Sequence, residues 1–311
     1  MEQVPRVVGF GLSQDYEEWR MVPQLLRELN RREFFNPSLV GVFTNPYFFI
    51  KRGVYAGIRA NARYMQGVML DLGCGSKPYK DLFKVDSYVG LEVEPSGHDH
   101  RESQIDVLYD GRRMPFRDRV FDSVLAAEVF EHISDLDEVL AELRRVMKPN
   151  AHMIVTMPFG WEEHETPHDY IRFTSYGIAM RLRKQGFQVL QVNKTTNYVE
   201  TCFQIWNAYV TQHVLPSNNY LRFALIPLIV SPATMLGIIL SRLLPDNRAL
   251  YLNNVVVVRN DIAADSNGPR MEAPRPARQD RPIPPAIGHQ MTARGSECGR
   301  PQISAGGEHW L

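Results

Sequence analysis

Between Val68 and Phe159 short apolar runs alternate with stretches whose apolar positions recur every three or four residues. The runs VMLDLG (68–73), SYVGLEV (87–93), FDSVLAAEV (121–129) and AHMIVTMPF (151–159) have the length and continuity of strands buried on both faces. Between the last two lies DLDEVLAELRRVM (135–147), which reads as an amphipathic helix. Its ends are signalled by Ser134 as N-cap, acids in the first turn, Arg144 and Arg145 in the last, and Pro149 just beyond. This alternation predicts a parallel sheet covered by helices on both faces. GFQVLQV (186–192) and YLNNVVVVR (251–259) predict two further strands.

Outside this core, assigned to 67–202 and completed by a final strand at 249–260, the pattern changes three times. Residues 1–66 mix polar and aromatic positions, with helical spacing from Tyr47 to Tyr64, and predict a helical lead-in or lid. Residues 203–248 form an apolar, helical insertion. Its segment Phe223 to Ser241 is free of charge over a transmembrane length and is bracketed by Arg222 and Arg242. A single span would strand the final strand across the bilayer from its sheet, and Pro227 and Pro232 are expected to interrupt the helix. The insertion therefore reads as an interfacial or re-entrant hairpin, as a cap over a hydrophobic pocket, or as a dimer contact. Residues 261–311, rich in Pro, Gly, Arg and Ser, predict a disordered tail.

Lys and Arg balance Asp and Glu at 35 each in a chain of 311 residues, so no overall field draws the molecule to nucleic acid. Cys74, Cys202 and Cys298 are odd in number, widely spaced and without metal-ligand spacing, as in a reducing compartment. The N-terminus has no secretion signal, so the expected location is cytoplasmic, with peripheral attachment to the inner face of the membrane through 203–244 as an alternative.

The first run ends in Asp71-Leu-Gly-Cys-Gly-Ser-Lys-Pro78, a strand entering a glycine turn with a helix expected to start near Pro78. Gly73 and Gly75 allow positive φ and close approach to a ligand, and Asp71 sets a carboxylate beside them that suits a cationic amino-acid group. A dinucleotide turn would carry a third glycine where Pro78 stands, which weakens a nicotinamide reading. Glu92, ending the second run, is placed to accept ribose hydroxyls. Asp110, after a short third strand, could accept an adenine amino group, with Met114 or Phe116 against the base. Each piece alone is ordinary; their order along the chain makes the pattern.

LDLGCGSKPY, YVGLEVEP, DGRRMPFRDRVFDSVLAAEVFEHI and ELRRVMKPNAHMIVTMPF together resemble the successive motifs of class I S-adenosylmethionine-dependent methyltransferases, type-11 branch. The resemblance runs from about residue 60 to 195. It implies an α/β Rossmann-like fold with a seven-stranded, mostly parallel sheet, helices on both faces, an antiparallel last strand and the helical insertion before it. It also implies S-adenosyl-L-methionine as cofactor, held by Asp71, Gly73, Gly75, Glu92 and Asp110. Lys77 stands where the family pattern has its third glycine, which we read as a subtype.

Methyl transfer needs alignment and, for an oxygen acceptor, a base. The loop PFGWEEHETPHDYIRFT (158–174) follows the fifth strand, where ligand crevices open. His164 and His168 are the candidate bases, with Asp169 or Glu165 as orienting carboxylate. Alternatively His168, Asp169, Tyr170 and Arg172 close the loop and cap a helix starting near Ser175. Two histidines four apart suggest a metal, but no third ligand announces itself and no metal is expected. Glu128, Glu131 and His132 follow the fourth strand at the same rim, where the resemblance implies that the E-V-x-E-H motif, Glu128 included, lies over the cofactor. The loop resembles that of bacterial methyltransferases encoded with glycan and envelope biosynthesis enzymes, and with the apolar insertion it implies O-methylation of a saccharide, glycolipid or lipid-linked acceptor. The alternatives are a quinone- or isoprenoid-type acceptor, and a non-catalytic cofactor fold that scaffolds a membrane assembly. The oligomeric state is left open.

Overall fold

In the computed structural model the described residues are 31–93 and 104–261. The expectations for residues 1–30, and for the tail from 262 onward, lie outside them.

Seven strands form one sheet: β1 (Val68–Leu72), β2 (Ser87–Val93), β3 (Val107–Tyr109), β4 (Phe121–Ala127), β5 (Met147–Pro158), β6 (Phe187–Lys194) and β7 (Asn253–Asn260), in the spatial order β3-β2-β1-β4-β5-β7-β6. β1 through β5 pair in parallel, and β7 runs antiparallel between β5 and β6. This is a Rossmann-like α/β architecture, with the last strand reversed as expected.

Alternate strand residues face opposite layers, as the period of two requires. Leu70, Leu72, Val124, Ala126, Met153, Val155, Val256 and Val258 join a core with α2 (Leu136–Val146) and α3 (Ser175–Lys184). Met69, Leu125, Ile154, Val255 and Val257 face α1 (Phe48–Asn61) through Val54 and Ile58. α1 lies close because Gly53 and Gly57 share one face: a Cβ on Gly57 would stand 2.6 Å from Val255 Cγ2, and one on Gly53 2.8 Å from Thr195 Cβ.

Four local expectations are corrected. The cap of α2 is Asp135, whose carboxylate accepts from Glu138 N at 3.3 Å, one residue after Ser134. β5 begins at Met147, before Ala151, because Met147 still pairs with Phe121. After the glycine turn there is no helix at Pro78, only a 3-10 turn, Lys80–Leu82. Pro227 and Pro232 do not interrupt their helix: α5 runs unbroken over 25 residues, Asn219–Leu243.

α4 (Tyr198–Tyr209), extended by a π-turn Val210–Val214, and α5 fill the insertion and pack on each other. α4 also joins the segment before the sheet. Gln204 Oε1 accepts from Phe49 N at 2.9 Å and Ile50 N at 3.3 Å, capping α1 from a distant part of the chain. Phe48, Phe49 and Ile50 pack there with Ala208 and Phe203.

Candidate active site

The strand order reverses between β1 and β4, and a crevice opens outside the carboxyl ends of the strands at such a point. Its two lips are the glycine turn after β1 and the loop Glu128 to His132 after β4. They touch: a Cβ on Gly73 would lie 2.5 Å from Val129 Cγ2, and Gly73 has φ +67°. At Gly75, φ +45°, nothing stands within 4 Å of the Cβ position, so the backbone borders open space. Gly75 N donates to Glu92 Oε2 at 3.2 Å, which places the β2 carboxylate on the same lip.

Asp71 is buried and accepts from the Tyr88 hydroxyl at 2.6 Å. Burial pushes its carboxyl up to about 7, against the opposing pull of Tyr88 and Lys77. A ligand ammonium would restore its charge. Lys77 takes φ +52°, the left-handed conformation that a glycine would adopt there. Its buried ammonium turns back to Asp106, and its stem lies so close to Gly90 that a Cβ there would meet Lys77 Cε at 2.5 Å. The turn thus survives the replacement. An open backbone at Gly75, a carboxylate at Glu92 and a buried carboxyl at Asp71 fit the methionine and ribose parts of the expected cofactor.

The residues expected around its adenine end differ in burial. Asp110 is exposed, and its Oδ1 accepts from Arg112 N at 3.0 Å and Arg113 N at 3.3 Å, bonds that hold its carboxyl below the usual range. Met114 is buried in the core cluster. Arg145 fixes this segment by donating to the Met114 and Phe116 carbonyls at 3.0 and 2.8 Å. Phe116 packs edge-on against Phe121.

The opposite end gathers polar groups from three parts of the chain. Glu128, at φ +56°, accepts from Thr156 Oγ1 at 2.7 Å and Asn253 Nδ2 at 2.7 Å; burial raises its carboxyl. Glu131 is fully buried, and neither oxygen receives a hydrogen bond among the described residues. Burial, then the nearby Glu128 charge, raises it well above the carboxylate range. Lys51 of α1 lies over the Phe34 ring at 4.6 Å; burial lowers its ammonium, and Glu128, Glu165 and Glu131 oppose this.

His164 and His132 stand edge-to-face, 5.0 Å between centroids. His164 Nδ1 lies 3.2 Å from Asp169 Oδ2, and Arg172 grips Asp169 at 2.5 and 2.6 Å. Burial raises the Asp169 carboxyl, but the Arg172 bonds and the His164 amide outweigh it and hold it low. Burial, then the neighbouring His132, lowers the His164 imidazole. His168 is exposed and meets the Tyr170 hydroxyl at 3.0 Å. Of the two loop histidines the structure therefore joins His164, not His168, to a carboxylate, and pairs it with His132. The helix after the loop is capped by Thr174. Lys51, Tyr88, Thr156 and Asn253 were not singled out from sequence; the only signal was their place at strand ends or on the lead-in helix.

Residues 70–155 match a family model described as a methyltransferase domain. No curated protein matches the chain. Among solved structures, an S-adenosylmethionine-dependent methyltransferase from Archaeoglobus fulgidus is 16% identical, with a TM-score of 0.42 over 66% of this chain and 92% of its own. One from Mesorhizobium loti is 12% identical, with a TM-score of 0.42 over 68% of this chain and 99% of its own. Phosphoethanolamine N-methyltransferase 2 from Haemonchus contortus, solved with S-adenosyl-L-methionine, is 16% identical, with a TM-score of 0.43 over 78% of this chain and 61% of its own. None of these likenesses bears on the acceptor.

Proposed function

We propose, from the methyltransferase-domain match over residues 70–155, that this chain is a class I S-adenosylmethionine-dependent methyltransferase that methylates a hydroxyl of a saccharide carried on a lipid, working at a membrane surface. The observation that carries the lipid part is α5. Only 28% of its most apolar stretch is buried, and Leu228, Ile229, Met235, Leu236, Ile239 and Leu243 are exposed. A cap over a pocket would bury that face. Crossing a bilayer is equally poor, because α5 is about 37 Å long and the short stretch from Leu243 to Asn253 must return the chain to the sheet. Lying in the interface leaves the apolar face in the acyl boundary, and the exposed Tyr198, Trp206, Tyr209 and Tyr220 suit the headgroup level.

The cofactor supplies a methyl group on a sulfonium, ready for displacement. Asp71, the Gly73–Gly75 backbone and Glu92 would hold and orient it. The acceptor enters from the side of Lys51, Glu128, Glu131, His132 and His164, whose polar character suits a sugar ring more than a quinone. Its hydroxyl loses a proton into this cluster as the oxygen takes the methyl group.

The test is transfer of labelled methyl from S-adenosylmethionine in the presence of vesicles, comparing lipid-linked saccharides, free saccharides and quinones. Preference for the lipid-linked acceptor is expected, with His164→Gln lowering turnover about a hundredfold or more and His168→Ala close to wild type. Methylation of quinones alone, or equal rates on free saccharide without vesicles, would overturn the proposal.

A further inference from the structure

We infer that Glu131, His132 and His164 form a binding site for a divalent metal ion of the zinc type at the acceptor end of the crevice. It rests on the methyltransferase reading only for its purpose. One ligand atom from each residue lies within 4.8 Å of the others. Zinc bonds of about 2.0–2.2 Å require the three atoms to draw inward by roughly an ångström, a small motion for side chains on two loops.

Three features favour an ion over a packed polar cluster. Glu131 is fully buried and neither of its oxygens accepts a hydrogen bond among the described residues, whereas buried carboxyl groups are normally hydrogen-bonded, paired or bound to metals. His132 Nδ1 donates to the His168 carbonyl at 2.7 Å, fixing the tautomer so that Nε2, 3.9 Å from Glu131 Oε1, presents its lone pair. His164 Nδ1 lies 3.2 Å from Asp169 Oδ2 and 3.3 Å from both the Glu162 carbonyl and Arg172 Nη2, which occupies this nitrogen and leaves Nε2 for a ligand. An imidazole whose far nitrogen is held by a carbonyl or carboxylate is the arrangement that orients metal-bound histidines.

Two imidazoles with one carboxylate suit zinc and its transition-metal neighbours and are poor for magnesium or calcium, which take oxygen ligands. Three protein ligands leave a coordination position open, as in catalytic rather than closed structural sites. An acceptor hydroxyl placed there would give up its proton more readily to a neighbouring carboxylate of the cluster such as Glu165, and the imidazoles would act as ligands while the carboxylate takes the proton. Glu165 places Oε2 3.5 Å from His132 Nε2.

The experiment is calorimetric titration of Zn2+ into the chelator-treated full chain, with Co2+ substitution followed by visible absorption and S-adenosylhomocysteine binding measured on every sample. One equivalent of Zn2+, a tetrahedral or five-coordinate Co2+ spectrum and no uptake of Mg2+ are expected. Affinity should fall at least tenfold in His132→Gln, His164→Gln and Glu131→Gln, and stay unchanged in His168→Ala. Retained S-adenosylhomocysteine binding reports that each variant is folded. Wild-type protein that binds S-adenosylhomocysteine but no stoichiometric Zn2+, or folded variants that bind Zn2+ like wild type, would overturn the site. Loss of S-adenosylhomocysteine binding by the wild type would count against the methyltransferase reading instead.

Discussion

Asp71 pits folding against ligand binding. Its carboxyl rises from 3.8 to about 7 in the folded, ligand-free chain, so the fold favours the protonated form. A folded value above the unfolded one means that the penalty is absent below about pH 4, grows as the group ionises and is complete above about pH 7. Asp71→Asn keeps an acceptor for Tyr88 and removes the charge. At pH 8 it should stabilise the ligand-free protein by up to about 4 kcal/mol, at pH 4 by almost nothing, and it should weaken cofactor binding. Urea midpoints at the two pH values, with calorimetry of S-adenosylmethionine, check this. The glycines separate two roles. Both positions are left-handed, at about 1–2 kcal/mol for an alanine; Gly73→Ala also meets Val129 Cγ2 at 2.5 Å and should lose more stability than that, whereas Gly75→Ala meets nothing, should lose only the backbone cost and should weaken cofactor binding. Melting temperatures and dissociation constants for both variants would show the contrast. Asp71 and Glu92 were legible in sequence because each ends a strand next to a turn in a fixed order. The Glu131, His132 and His164 cluster was not, because its members meet only when the loop after β5 folds over the loop after β4, whereas sequence spacing sets His164 beside His168.

At the level of elements, strands were readable because burial on both faces leaves uninterrupted apolar runs, and α1 and α2 because one face of each is apolar. α5 was readable as apolar but not as continuous. Proline removes the amide that would serve the carbonyl four residues earlier, here those of Phe223 and Leu228. On the face packed against protein, Ser231 and Thr234 hydroxyls donate to the Ile226 and Val230 carbonyls at 3.3 and 3.2 Å, and Asn207 Nδ2 donates to Thr234 Oγ1 at 2.8 Å. This polar seam ties α5 to α4. The opposite face is unsupported, so Leu236→Glu with Ile239→Glu should abolish flotation with vesicles while changing stability by about 0.5 kcal/mol or less per site. Melting and flotation on one preparation suffice, and a large loss of stability would mean that the face is packed in solution.

For the molecule as a whole, β7 is the element on which the rest depends. It pairs with β5 over Asn253 to Arg259 and with β6 over Asn254 to Asn260, and β6 has no other neighbour in the sheet. It also supplies Asn253 to Glu128, and Asn260 Nδ2 donates to the carbonyls of Arg144, Met147 and Lys148. A chain ending at Leu252 should therefore fail to fold cooperatively and should not bind S-adenosylhomocysteine, as circular dichroism and calorimetry would report. The insertion between β6 and β7 then acquires a meaning in time. During synthesis α5 is complete before the strand that closes the sheet exists, while β6 waits with both edges unpaired. The apolar helix thus leaves the ribosome attached to an unfinished catalyst, and on the interfacial reading the chain can reach a bilayer before it can methylate anything.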